Sequence, residues 1–165
     1  LTGLWYFGSC LFDLDGVSVR VTNVLGSAFI NESVNSPYYS LLQIMSDEEP
    51  AAIHIVDFHG EATSEKISFA YALDGKVTAV VGTHIHVQTA DERLLPGKTA
   101  YITDLGMCGP SDSVIGCDTA LAIQRQKTQM PIKAQSPDNP AVIMGVVVES
   151  DPQTGRALSI TRICE

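Results

Sequence analysis

Ile53-His54-Ile55-Val56-Asp57-Phe58-His59 and Val77-Thr78-Ala79-Val80-Val81-Gly82-Thr83-His84-Ile85-His86 decide how this chain is read. Both are short runs of β-branched and apolar residues, the pattern of strands buried on two faces. Each run stops at histidine, so His59 and the His84/His86 pair should project from the ends of buried strands. If the chain stays extended through His84-Ile85-His86, the two imidazoles face the same side. Neutral imidazole is the commonest side-chain ligand for zinc, manganese and iron. A lone histidine on a strand is ordinarily a packed, hydrogen-bonded residue. Three of the chain's four histidines at neighbouring strand ends point instead to a metal site. His54 is out of phase with Asp57 and His59 and reads as structural. Asp57 stands two residues before His59, where a carboxylate can fix the tautomer of a ligating imidazole from behind. A turn contact at the strand end would explain it equally well.

Working outward, residues 5–30 alternate like a hairpin around Asp15-Gly16, a strong turn dipeptide. Residues 31–37 form a polar loop, and 38–45 a short helix closed by Asp47-Glu48-Glu49-Pro50. Thr63 or Ser64 can cap a helix through Ile67, Ala70, Tyr71 and Leu73, stopped by Asp74-Gly75. Residues 99–103 read as a strand, 104–118 as a loop at the rim of a site, and 119–126 as helix. Residues 142–149 and 157–163 look like an antiparallel pair. Strands mixed with few helices predict α/β layers around a sheet, in a single domain spanning 1–165.

The chain has 165 residues, 45% apolar and 18% charged, which is the profile of a folded domain. Ten basic residues against 19 acidic ones leave a net charge of −9. That argues against strong nucleic-acid binding or adhesion to anionic membranes, both of which need a basic surface. An acidic chain that handles a phosphate needs local positive charge, and divalent cations would supply it. Cys10, Cys108, Cys117 and Cys164 form neither a CxxC pair nor a zinc-finger cluster, so free thiols in a cytoplasmic setting are expected. No apolar run reaches membrane-spanning length, and residues 1–7 lack the basic start of a signal peptide. The first residue is Leu1 rather than methionine, so a preceding segment is expected.

Other motifs carry less. Asp13-Leu14-Asp15-Gly16-Val17 looks like the nucleophile motif of haloacid-dehalogenase-type phosphatases, in which an aspartate attacks phosphorus. That fold needs helical structure next, whereas Val17, Val19 and Val21 continue a strand, so the hairpin reading is preferred. Glu61 and Lys66 lie beside His59 and could serve chemistry. A helical first turn, with acidic groups near the positive end of its dipole, accounts for Ser64 and Glu65. Gly106, Gly109 and Gly116 lack phosphate-loop spacing, and no Ser or Cys has the surroundings of an activated nucleophile. Metal-activated water is the chemistry that several residues support.

The segments Val56-Asp57-Phe58-His59-Gly60-Glu61-Ala62-Thr63-Ser64-Glu65-Lys66 and Leu73-Asp74-Gly75-Lys76 through Gly82-Thr83-His84-Ile85-His86-Val87-Gln88-Thr89-Ala90-Asp91 closely resemble YmdB-type metallophosphoesterases. Leu95-Pro96, residues 99–104, Gly106-Met107 and Gly109-Pro110 continue the match, and Asn23-Val24-Leu25-Gly26 fits more loosely. The resemblance implies part of a calcineurin-like αββα sandwich. It also implies two divalent metal ions, iron or manganese with zinc as an alternative. In that family a water activated by the two ions attacks phosphorus in 2′,3′-cyclic nucleotides and some other phosphodiesters. Carried over, His59 and His84 would bind one ion and His86 the other.

The family's N-terminal third carries an aspartate, a Glu-Asn pair and an Asn-His pair that supply the remaining ligands and a general-acid histidine. Nothing before His59 matches these; Asn31-Glu32 has the wrong order and Asp13 sits in the hairpin. Ile85 replaces the threonine usual between the two histidines. The chain therefore reads as the C-terminal two-thirds of such an enzyme, with the N-terminal third missing. On that reading it is inactive alone and exposes apolar sheet surface, which favours self-association into a homo-oligomer. The rival is a non-catalytic metal-binding or interaction module that keeps a three-histidine half-site.

Overall fold

The computed structural model describes residues 8–29 and 35–165. Asn31 and Glu32 lie outside the described residues. The hairpin forms as expected. Strand β1 (Ser9–Leu14) pairs antiparallel with β2 (Val17–Leu25), Leu14 opposite Val17. The two loop residues both have left-handed backbone, Asp15 at φ 53° and Gly16 at φ 85°, as this tight hairpin turn requires. Asp13 Oδ1 accepts the Gly16 N–H at 3.0 Å, so this aspartate serves the turn. The aspartate-nucleophile reading has no structural counterpart.

Helix α1 (Pro37–Asp47) leads to β3 (Ile53–His59), and α2 (Thr63–Ala72) to β4 (Ala79–Thr83). A short β5 (Arg93–Leu94) turns into β6 (Ala100–Ile102). These strands make one sheet in the order β1-β2-β3-β4-β6-β5, with β2, β3, β4 and β6 parallel. Strand β7 (Cys108–Pro110) then pairs with β8 (Ala141–Asp151), which pairs with β9 (Arg156–Cys164) in a second, three-stranded sheet. Strand β7 falls within the segment expected as loop, because three residues containing Gly and Pro carry no strand periodicity.

The period-two alternation of the central strands builds two cores. Val56, Phe58, Val80 and Tyr101 face Leu41 of α1, Phe69 and Ala70 of α2, and Leu73 at the C-cap of α2. On the opposite face, Ile55, Ala79 and Ala100 meet Val148, Ala157 and Ile160 of the small sheet. The result is helices on sheet on sheet, a mixed α/β fold. Both faces of β3 and β4 are covered, which explains why apolar residues dominate both sequences. The small sheet does not extend over the hairpin side, where Leu11, Phe12, Leu14 and Val21 stay exposed. Helix α3 (Thr119–Thr128), capped by the Asp118 carboxylate, buries no residue.

The caps expected of α2 do not form: its N-cap is Ala62, without a side-chain hydrogen bond. Glu65 sits in the first turn of α2 as expected and has a further role. Its carboxylate accepts N–H and Oγ–H from Ser27 and the Ala28 N–H, tying the segment after β2 to α2.

Candidate functional site

Parallel strands β3, β4 and β6 deliver His59, Thr83–His84 and Asp104 to one end of the sheet, their carboxyl ends. Open α/β sheets place ligands at this end. His59 pairs in register with Thr83, which sets their side chains beside each other. The His59 Nε2 lies 3.2 Å from His84 Nδ1, with the rings nearly perpendicular. His84 Nε2 in turn lies 2.9 Å from the Glu61 carboxylate.

The hydrogen atoms along this chain can be assigned from donor capacity. Asp57 Oδ2 accepts from Asn23 Nδ2 at 2.8 Å, and Oδ1 accepts the Thr83 hydroxyl at 2.7 Å. The Thr83 oxygen, having donated its proton, accepts from His59 Nδ1 at 3.0 Å. The proton on Nδ1 leaves a lone pair on His59 Nε2, aimed at His84 Nδ1. A neutral His84 has one N–H to divide between His59 and Glu61. One of its two contacts then sets lone pair against lone pair.

The reach of Asp57 towards His59 is thus indirect, through Thr83. Sequence reading did not single out Thr83, although it is the polar residue on β4 that stands opposite His59. It did not single out Asn23 either.

The extended geometry expected for His84-Ile85-His86 does not form. Strand β4 ends at Thr83, and both histidines have positive φ, 115° at His84 and 68° at His86. Such backbone costs on the order of 1–3 kcal/mol per residue and persists where the surroundings enforce it. His86 turns to donate from Nδ1 to the Ile115 carbonyl at 3.1 Å, which leaves its Nε2 lone pair free. No hydrogen bond joins it to His59 or His84. The structure therefore brings His59 and His84 together and places His86 on the adjoining rim.

His54 lies apart, buried with Thr22 Oγ1 at 2.9 Å from its Nε2. Burial and the nearby Arg20 guanidinium lower its pKa to about 4, against a smaller opposing pull from Glu48. It is a neutral core residue, as its phase on β3 implied.

Beneath the histidine turn sits a fully buried ion pair, Lys66 on α2 with Asp104 after β6, 3.0 Å apart. Lys66 also donates to the Thr83 carbonyl at 2.8 Å. Asp104 accepts the Ile85 N–H through Oδ2 and the Gly106 N–H through Oδ1. A signal for Lys66 exists in the sequence. It shares the α2 face of the buried Phe69, Ala70 and Leu73, so a charge there requires a buried counter-ion. Gly82, one residue before the turn, has no room for a side chain: a Cβ would lie 1.8 Å from the Thr103 carbonyl oxygen.

Imidazole nitrogens and carboxylate oxygens are the donors that iron, manganese and zinc take, so the set fits such an ion in kind. It falls short in number: among the described residues no group of three or more His, Cys, Asp or Glu is arranged to hold a metal. The four cysteines are free thiols and add nothing to the site. Among the described residues no helix is long and apolar enough to cross a membrane.

The sequence pattern of the family described as YmdB-like protein matches residues 6–163. The 2′,3′-cyclic-nucleotide 2′-phosphodiesterase of Bacillus subtilis (strain 168) is 41% identical over 150 residues, covering 90% of this chain and 56% of that protein. The chain thus spans a little over half the length of this relative. A hypothetical protein from Thermus thermophilus superposes with a TM-score of 0.88 at 32% identity, covering 96% of this chain and 61% of that one. A Mycoplasma pneumoniae protein described as a novel phosphatase gives 0.87 at 36% identity, over 96% of this chain and 57% of that one. With the histidine turn and its supporting strands inside the matched region, this chain belongs to the YmdB-like family.

Proposed function

We propose that this chain carries the histidine half of a metal-dependent phosphodiesterase site that hydrolyses 2′,3′-cyclic nucleotides or related small phosphodiesters. The observation that carries this reading is the approach of His59 Nε2 and His84 Nδ1 to 3.2 Å beside the Glu61 carboxylate, donors of the kind that iron, manganese and zinc take. His59 and His84 would hold one ion, and His86, with Nε2 free, would hold the second. Bound divalent ions supply Lewis-acid polarisation of phosphoryl oxygens and an activated water. The chain's own residues orient the site. Asp57, acting through Thr83, would keep the His59 proton on Nδ1 and leave Nε2 open to an ion, and the Glu61 carboxylate would offset that ion's charge beside His84.

The substrate class comes from the name of the Bacillus subtilis relative, together with an acidic chain that needs cations to receive a phosphate. A bridging carboxylate and a general acid would come from an N-terminal third like that of its family. The calcineurin-like αββα sandwich, a cytoplasmic location and a homo-oligomer belong to the same proposal. The shortfall of ligands favours a second reading, a non-catalytic module that keeps a half-site.

The test is hydrolysis of 2′,3′-cyclic AMP with Mn²⁺ by residues 1–165 alone and by the same chain extended with a family-type N-terminal third. The extended protein should turn over, lose activity on His59→Ala or His86→Ala, and tolerate Asp13→Asn. Residues 1–165 alone should be inactive or nearly so. An extended protein that folds and binds metal without turnover would favour the module.

A further inference from the structure

We propose that the buried Lys66–Asp104 pair is the positioning device of the histidine turn, holding His84 and His86 in left-handed backbone. It presents His84 Nδ1 to His59. The pair rests on the phosphodiesterase reading only for what the turn is used for; its geometry stands apart from that reading. Both side chains are fully buried, and they bridge three elements, with Lys66 on α2 and Asp104 beyond β6 meeting over the end of β4. Beyond each other, two of their side-chain contacts reach the turn and its strand, and the third is to the loop after β6. The ammonium takes the Thr83 carbonyl, and the carboxylate takes the N–H groups of Ile85 and Gly106. Ile85 lies between the two positive-φ histidines, so its amide is the point from which both are steered. Two further contacts brace the same corner: Leu105 N–H donates to the Gly82 carbonyl at 2.8 Å, and Gly60 N–H to the Thr83 carbonyl at 3.3 Å.

A buried ion pair is a poor device for stability alone, because an apolar pair of similar volume commonly does as well or better. The carboxylate offers something an apolar pair cannot, one acceptor oxygen for the Ile85 amide of the turn and another for the Gly106 amide of its own loop, which ties the two segments together. Position and stability therefore separate experimentally.

The decisive variant is the double substitution Lys66→Met/Asp104→Leu, which removes both charges together and leaves none buried and unpaired. Its melting temperature should stay near that of the unsubstituted chain. Amide exchange at Ile85 and Gly106 should accelerate roughly tenfold or more, while the amides of β3 hold. The ring ¹⁵N shifts of His59 and His84 should move towards those of uncoupled imidazoles. Where Mn²⁺ binding is measurable, affinity should fall about 10–100-fold, the usual cost of losing a group that orients a ligand. Asp104→Asn is the second variant: it offers one acceptor oxygen where two are used, so one of the two amides should lose protection. Unchanged Ile85 and Gly106 exchange with unchanged ring shifts in either folded variant would overturn the proposal. The exchange and ring shifts need no metal, so a chain that binds no Mn²⁺ would count against the phosphodiesterase reading and still test this one.

Discussion

Replacing Thr83 by Val keeps the shape and β-branching of the side chain and deletes one oxygen. That oxygen bridges Asp57 and His59 through hydrogen bonds of 2.7 and 3.0 Å, one of them to a carboxylate. A neutral hydrogen bond contributes about 0.5–1.5 kcal/mol net and one to a charged group about 1.5–3. The site is half-buried, so water can reach the orphaned groups and the loss should sit at the low end, about 1–2 kcal/mol in urea unfolding. The effect on the imidazole should be larger in proportion. Without the Thr83 oxygen, His59 Nδ1 has no fixed partner and the ring samples both tautomers, which should lower Mn²⁺ or Zn²⁺ affinity about 10–100-fold. Thr83→Ser restores the oxygen and should recover both quantities. A Thr83→Val protein with unchanged stability and unchanged metal affinity would refute the relay.

Three further outcomes follow from the fold. Gly82→Ala must push a Cβ into the Thr103 carbonyl oxygen, 1.8 Å away, so strands β4 and β6 have to separate. A loss of at least about 3 kcal/mol, or failure to fold, should appear in thermal denaturation, at the severe end for overpacking. His54 has a pKa lowered to about 4 in the folded chain against 6.5 when exposed, so the unfolded state binds more protons between those values. Stability should therefore fall as pH drops from 6.5 towards 4, by on the order of 2–3 kcal/mol, and His54→Gln should flatten that slope. Leu11, Phe12, Leu14 and Val21 stay exposed on the hairpin side. Sedimentation should show self-association that Phe12→Lys weakens, because apolar surface of this kind marks an interface or an aggregation liability.

Much of the fold was legible because the central strands are covered on both faces, and that burial wrote runs dominated by apolar and β-branched residues into 53–58 and 77–81. Asp15-Gly16 announced the hairpin through the one backbone geometry its turn allows. His59 was legible as a strand-end residue, and the phase of His54 marked it as core. The rest depended on contacts distant in sequence. The path of His84-Ile85-His86 is set by Asp104 and Lys66, so periodicity, which assumed an extended chain, misplaced the two side chains. Glu65 was legible as an acidic residue of the first turn of α2, but not its tie to Ser27 and Ala28, which come 37 or more positions earlier. Thr83 passed as an ordinary β-former because its second role appears only when β3 lies beside β4.

Calorimetric titration of residues 1–165 with Mn²⁺ and with Zn²⁺, beside a His84→Ala variant, tests the metal site most directly. Three imidazoles and the single Glu61 carboxylate offset little of the charge of two dications, so at most one ion should bind tightly and the second weakly or not at all. His84→Ala should remove the tight equivalent while leaving the fold intact by circular dichroism. Two tight equivalents per chain, or one that survives His84→Ala undiminished, would contradict the assignment of His59 and His84 as partners at a metal.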